Sequence, residues 1–279
     1  MQIVKPSFEL LGTPTSVEEA WAFAAKAARN CYQSQKTNLD ESEEAFCRRL
    51  LLKNPNLEAC HLSPLEFGVL YLTFPHDSEF GRLPFWGSVF TEPYSMMRTS
   101  PDKDVLITTN LRYLIEHDLY DSDLLLFAGP PTKFHVPACA FKMITALSVL
   151  GEVTRHRTLS FCVESTRYCN YSKGKFNKEV TFIEPVWGLD DFSKEGLLLA
   201  ESYYLQALDR GWTPQQAAMF LPKETKTTIM MSGYAPFLDH MFKLRALEIS
   251  GPVHPQMKEV MKPAYDAYEK FKDTFGSTK

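Results

Sequence analysis

From Phe67 to Phe74 the chain reads FGVLYLTF, a run of aromatic, aliphatic and β-branched residues with Pro64 before it and Pro75 after it. So short a run suits a buried strand better than a core helix. A strand this apolar must be covered, and the segments able to cover it are helical in pattern. Ser16-Val-Glu-Glu19 is a capping box opening an Ala-rich stretch to about Tyr32, and Asp40 to Lys53 repeats the amphipathic spacing. Val105 to Thr108 reads as a second short strand, leading into a helix that begins near Asn110 and includes Arg112. Pro137 suits a helix start, and Phe141, Ile144, Leu147, Val149, Leu150 and Val153 predict a mostly buried helix to about Thr154.

Further on, Val180 to Ile183 reads as a strand, Ser193 to about Asp209 as a helix stopped by Gly211, and Pro214 to Phe220 as a short helix. Thr227 to Met231 reads as a strand, and helices are predicted at about Ala235 to Leu247 and Pro255 to Phe275. Pro75 to Lys103 is rich in Pro, Gly, aromatics and charge with little periodicity, which predicts a long loop or inserted hairpin. Strands and helices alternate without a linker, repeat or low-complexity tract, so the expectation is a single α/β domain over residues 1–279.

Composition narrows the function classes. With 44% apolar residues in 279, the chain can bury a sizeable core. A net charge of -4 argues against nucleic-acid binding by bulk positive charge, so any bound phosphate must meet locally concentrated Arg or Lys. Nowhere do about 18 apolar residues run together, so no membrane span is expected, and Met1 to Leu11 lacks the unbroken apolar stretch of a signal peptide. The six cysteines, Cys31, Cys47, Cys60, Cys139, Cys162 and Cys169, show neither C-x-x-C pairs nor zinc spacing. Free thiols in a reducing cytoplasm, and no metal, are the expectation.

The densest set of functional groups is Glu152 to Lys173, EVTRHRTLSFCVESTRYCNYSK. Arg155, Arg157 and Arg167, with His156, Ser160, Ser165 and Tyr168, offer forked donors and hydroxyls suited to phosphate and carbonyl oxygens. An Arg-His-Arg at a helix end is commonly a solvated terminus placed against the helix dipole. Here Phe161, Cys162 and Val163 are interleaved with the charges, as in ligand clefts rather than solvating faces.

Arg155-His-Arg157, seven residues and Ser165 reproduce the R-H-R-x7-S signature of the flavin-dependent thymidylate synthases, the ThyX family. The chain also resembles that family in S-T-R-Y-C-N-Y-S-K-G-K-F, in T-F-I-E-P, and upstream in H-L-S-P-L-E (His61 to Glu66) and T-T-N-L-R (Thr108 to Arg112). Downstream lie G-W-T-P-Q-Q-A (Gly211 to Ala217), Leu221-Pro222, D-H-M-F-K-L-R (Asp239 to Arg245) and H-P-Q-M-K-E (His254 to Glu259), in the family's order. The resemblance implies an α+β fold with a mostly antiparallel sheet flanked by helices. It also implies reductive methylation of dUMP to dTMP, with methylenetetrahydrofolate as one-carbon donor, FAD as hydride carrier and NADPH as reductant.

By the same resemblance, Ser63, Glu66, Arg155, His156, Arg157 and His240 would contact the flavin. Glu152, Arg155, Glu164, Ser165, Arg167 and Arg245 would form the nucleotide site, with Arg245, Ser165 and His61 serving catalysis. A homotetramer is implied, whose sites are assembled between subunits. The chemistry is reasonable: uracil C5 is a poor nucleophile until N3 and O4 carry developing negative charge, which a fixed guanidinium such as Arg245 can stabilise. Read from the residues alone, His61 is either structural or a neighbour of flavin or folate, and Glu66 is either at the flavin or a carboxylate holding an Arg. The chain departs from the family pattern at Phe67, Cys162-Val163 and Ala218, where relatives commonly place an arginine on the nucleotide phosphate. Lys223 and Lys226 are candidate replacements, and dCMP as substrate, a hydroxymethyl product or a catalytically silent homologue are the alternative readings.

Overall fold

A computed structural model describes residues 1–54, 57, 60–79, 94–121 and 123–276. Strands β1 (Gln2–Val4) and β2 (Ser7–Gly12) open the chain. Ser16 then caps α1 (Val17–Tyr32) by accepting the Glu19 backbone N–H, while the Glu19 carboxylate reaches back to the Thr15 N–H at 2.8 Å. Ser42 caps α2 (Glu43–Leu51) in the same way. A 3-10 turn over Ser63–Phe67 feeds β3 (Val69–Phe74), followed by β4 (Met96–Thr99), β5 (Val105–Asn110) and α3 (Leu111–Glu116). The two-residue β6 (Ala128–Gly129), β7 (Ala138–Ala146), α4 (Leu147–Val153), β8 (Ser160–Val163) and β9 (Thr181–Ile183) come next. Then follow α5 (Asp191–Asp209), α6 (Pro214–Ala217), β10 (Lys226–Tyr234), α7 (Ala235–Arg245) and α8 (Pro255–Thr274).

The fold is mixed α and β, with antiparallel sheets flanked by helices. One four-stranded sheet runs β2-β7-β10-β8 and another β4-β5-β3-β6, while β1 and β9 make a parallel pair. The Ala-rich composition of α1 follows from its position between the two sheets. Ala20, Ala24, Ala25 and Ala28 pack with Leu70, Leu72 and Ile107 of one sheet. Ala27 packs with Ala140, Cys162 and Met230 of the other. Small side chains let both sheets approach the helix axis, and Gly68 serves the same end, since a Cβ there would lie 2.8 Å from the Ala20 carbonyl oxygen.

The opposite face of the β2-β7-β10-β8 sheet presents Phe141, Met143, Ile229 and Met231 to Leu238, Met241 and Phe242 of α7 and to Met257, Val260, Met261 and Tyr268 of α8. Each such buried side chain contributes roughly 1.5–3 kcal/mol, and together they fix α7 against the strands that carry the site.

Two expectations need correction. The segment from Pro137 is not one helix: residues 138–146 form the central strand β7, paired along its length with β10 and on its other edge with β2, and only Leu147–Val153 is helical. Both faces of β7 are covered, so its apolar residues do not alternate, and their spacing imitates a helical one. Of the stretch predicted as a loop from Pro75 to Lys103, residues 80–93 lie outside the described residues, and Met96–Thr99 is a strand on the edge of the β3 sheet. Strands β1, β2 and β8 carry pairings that the sequence reading did not anticipate.

Candidate active site

The first turn of the site is set by the end of α4. The Thr154 hydroxyl donates to the Leu150 carbonyl at 2.9 Å, and the Leu159 N–H to the His156 carbonyl at 3.0 Å, so Arg155-His156-Arg157 forms a tight turn before β8. His156 turns inward and is buried, whereas Arg155 and Arg157 point outward. From the last turn of α7, Arg245 donates through Nε to His156 Nε2 at 3.1 Å and through one terminal nitrogen to the Glu152 carboxylate at 3.2 Å. His240, one turn earlier on α7 and exposed, lies with its ring centroid 6.4 Å from that of His156. Four of the residues named from the sequence thus converge: Glu152, His156, His240 and Arg245.

The electrostatics of this cluster are one-sided. Burial, then the Arg245 guanidinium, then His240 push the His156 imidazole down to about 4. Its Nε2 accepts from Arg245, so the neutral ring carries its proton on Nδ1. Arg245 is gripped on two sides and held as a fixed fork, with its side chain 20% exposed. Among the described residues, neither Arg155 nor Arg157 has a carboxylate partner within ion-pair distance, so both guanidinium groups are available to an anion.

A second group lies beyond the far end of β8. The Glu164 carboxylate is fully buried, accepting from the Tyr171 hydroxyl at 3.1 Å, the Lys226 ammonium at 2.5 Å and the Thr228 hydroxyl at 3.0 Å. Both of its oxygens are engaged within the chain. Ser165 follows it with its N–H bonded to the Cys31 carbonyl, and the exposed Arg167 donates to Gln215 at 3.1 Å. Ala218 sits at the turn after α6 without a cation, Lys223 is exposed, and Lys226 is occupied by Glu164.

The third group is carried by the 3-10 turn, where Pro64 presets the backbone. Glu66 is buried and accepts from Arg112 at 2.5 Å; Arg112 also donates to Glu116 at 3.0 Å and to the Tyr94 hydroxyl at 3.1 Å. Of the two readings of Glu66, the arginine-holding one describes its contacts within the chain. Glu66, Tyr94, Asn110, Thr158 and Ser160 line a narrow cleft, so the turn after Arg157 and the His61-to-Glu66 segment meet there. His61 and Ser63 stand exposed on the same segment.

His156 precedes β8 and holds Arg245 near that end, whereas Ser165 and Arg167 follow the strand. From Ser160 at the start of β8 to Ser165 just past its end is five residue steps, about 17 Å at roughly 3.3 Å for each extended residue. One chain therefore presents these groups at opposite ends of one strand rather than in one pocket. Sequence reasoning did not single out Tyr94, whose hydroxyl carries no local signal, and Asn110 entered only as the start of a helix, which it caps by accepting the Tyr113 N–H. Among the described residues, no group of three or more His, Cys, Asp or Glu could hold a metal ion, and no helix is long and apolar enough to cross a membrane.

Residues 123–273, more than half of the chain, match the family described as thymidylate synthase complementing protein. No curated protein matches the chain. Similar solved structures include the UMP/dUMP methylase PolB from Streptomyces cacaoi bound with 5-Br UMP, at 16% identity over 97% of this chain and 92% of that one, with a TM-score of 0.45. The same methylase bound with 5-Br dUMP is 17% identical over 100% of this chain and 99% of the other, again with a TM-score of 0.45.

Proposed function

The chain belongs to the thymidylate synthase complementing protein family, and from that premise we propose that it is a flavin-dependent thymidylate synthase, converting dUMP to dTMP with methylenetetrahydrofolate and NADPH. The observation that carries this reading is the Arg245 guanidinium held between Glu152 and a neutral His156. Uracil becomes nucleophilic at C5 as negative charge develops on N3 and O4. A guanidinium already oriented and partly desolvated meets that charge without reorganising, an effect worth about 10²–10³ in rate. Keeping His156 uncharged matters as well, since an imidazolium beside Arg245 would repel it and loosen the fork.

The donor set fits a flavin dinucleotide. Arg155 and Arg157 are exposed without carboxylate partners among the described residues, and Ser63 adds a hydroxyl on the adjoining turn. With His156 and His240 they would hold the cofactor, and Arg167 with Ser165 would hold the nucleotide. FAD bound there would supply the hydride that reduces the transferred carbon, which no side chain can do. Because Arg245 and Arg167 flank opposite ends of β8, the reading includes self-association, with one copy's Arg245 end facing another's Ser165 end as in a homotetramer. Exposed apolar side chains such as Phe192, Met219 and Trp187 are consistent with such contacts.

Ala218 favours a second reading, a related pyrimidine nucleotide such as dCMP or a hydroxymethyl product, because the phosphate position there lacks a cation. Incubating the purified protein with methylenetetrahydrofolate, NADPH and either dUMP or dCMP, and separating the products, decides between them. The first reading expects flavin bound in the protein as purified and dTMP from dUMP. A 5-modified cytosine product or hydroxymethyl-dUMP would replace it with the second, and flavin binding without turnover of either nucleotide would mark a silent homologue.

A further inference from the structure

On the sheet face that α1 covers, opposite to the face packed by α7, a cavity of about 560 Å³ opens between α1 and strands β7 and β10. Ala22, Ile144 and Met230 give it an apolar floor. Its walls are cationic: among the described residues the lining holds six cations and one carboxylate. Four of the cations are arranged in twos, each two sharing one carboxylate. Lys26 and Lys142 lie 3.6 and 3.9 Å from Glu9, and Arg29 and Lys36 lie 2.6 and 3.3 Å from Glu43. Lys226 is 2.5 Å from Glu164, and the neighbouring Lys175 donates at 3.0 Å to Gln33, an amide rather than a carboxylate.

Six cations against three carboxylates leave three surplus positive charges around one concavity. Lysines on a convex solvated face diverge and are screened. These converge, and burial together with Lys226 pushes the Lys175 ammonium below the usual lysine range, so the like charges are held close enough to oppose one another. A concave wall of one sign with a low-dielectric floor concentrates anions of opposite charge.

We propose that this cavity binds a small organic polyanion carrying three or more negative charges, its phosphates or carboxylates held by Lys26, Arg29, Lys142 and Lys175 and any apolar portion lying on Ile144 and Met230. None of Glu152, His156, His240 and Arg245 lines the cavity, so it is separate from that cluster; Lys226, held by Glu164, is the lining residue it shares with the nucleotide group.

The test is calorimetric titration of the full-length protein with tripolyphosphate and, separately, with citrate, at low and at physiological ionic strength. At least one probe is expected to bind at one site per chain, with affinity falling as salt rises, and the tighter one identifies phosphate or carboxylate as the ligand chemistry. Lys142→Gln with Lys175→Gln is expected to weaken that binding about tenfold or more, whereas Arg245→Gln leaves it unchanged. Lys26→Gln, on the exposed side of α1, repeats the weakening without touching the sheet. Binding of neither probe, equal binding by the lysine variants, or loss of binding in Arg245→Gln overturns the proposal.

Discussion

His156 shows how one side chain's surroundings set its chemistry. Folded, it resists protonation down to about 4, whereas in the unfolded chain an imidazole takes a proton below about 6.5. The unfolded state therefore binds more protons between those values, so the stability tied to the neutral ring is fully present above about 6.5 and is lost as pH falls toward 4. Arg245→Gln removes the second-largest cause of the depression and is expected to move the His156 titration upward, toward the ordinary histidine range. A histidine-selective NMR titration reads both; a wild-type His156 that titrates near 6.5 would contradict the cluster's geometry. At this scale much was legible. Arg155, His156, Arg157 and Arg245 are identifiable by motif, yet the Glu152 to Arg245 pairing spans 93 positions and carries no local pattern.

Among the elements, β8 and β10 depend on a buried charge pair. Glu164 closes β8 and Lys226 opens β10, and the strands pair antiparallel between them. Lys226→Met would leave the Glu164 carboxylate with two neutral donors only, and is expected to cost about 3–5 kcal/mol. Adding Glu164→Gln should recover most of that loss, measured by urea denaturation of the single and double variants. Equal stability of Lys226→Met and wild type would show that the pair carries no such weight. Elements ending in a cap or a proline, such as α1 behind Ser16 and α8 behind His254-Pro255, were readable because their signals are local. Strand β7 was not, because it is central to its sheet and lacks the alternation of an exposed strand. The four-residue β8 owes its existence to pairing with β10 rather than to propensity.

Across the whole molecule, α1 lies between two sheets, α7 is fixed by the packing behind β10, and the chemistry of the proposal falls at the two ends of β8. That separation could not be read in advance: the motif places Arg157 and Ser165 a few positions apart, but an extended strand between them carries them far apart in space. That separation is where the proposed self-association enters, a second copy supplying the other end. The most direct measurement is release of tritium from 5-tritiated dUMP by the purified protein supplied with FAD, NADPH and methylenetetrahydrofolate. Release by the wild type, lowered about 10²-fold or more in Arg245→Gln, is the expected result. No release by the wild type, or release that Arg245→Gln leaves unchanged, would contradict the assignment of uracil chemistry to the Glu152–His156–Arg245 cluster.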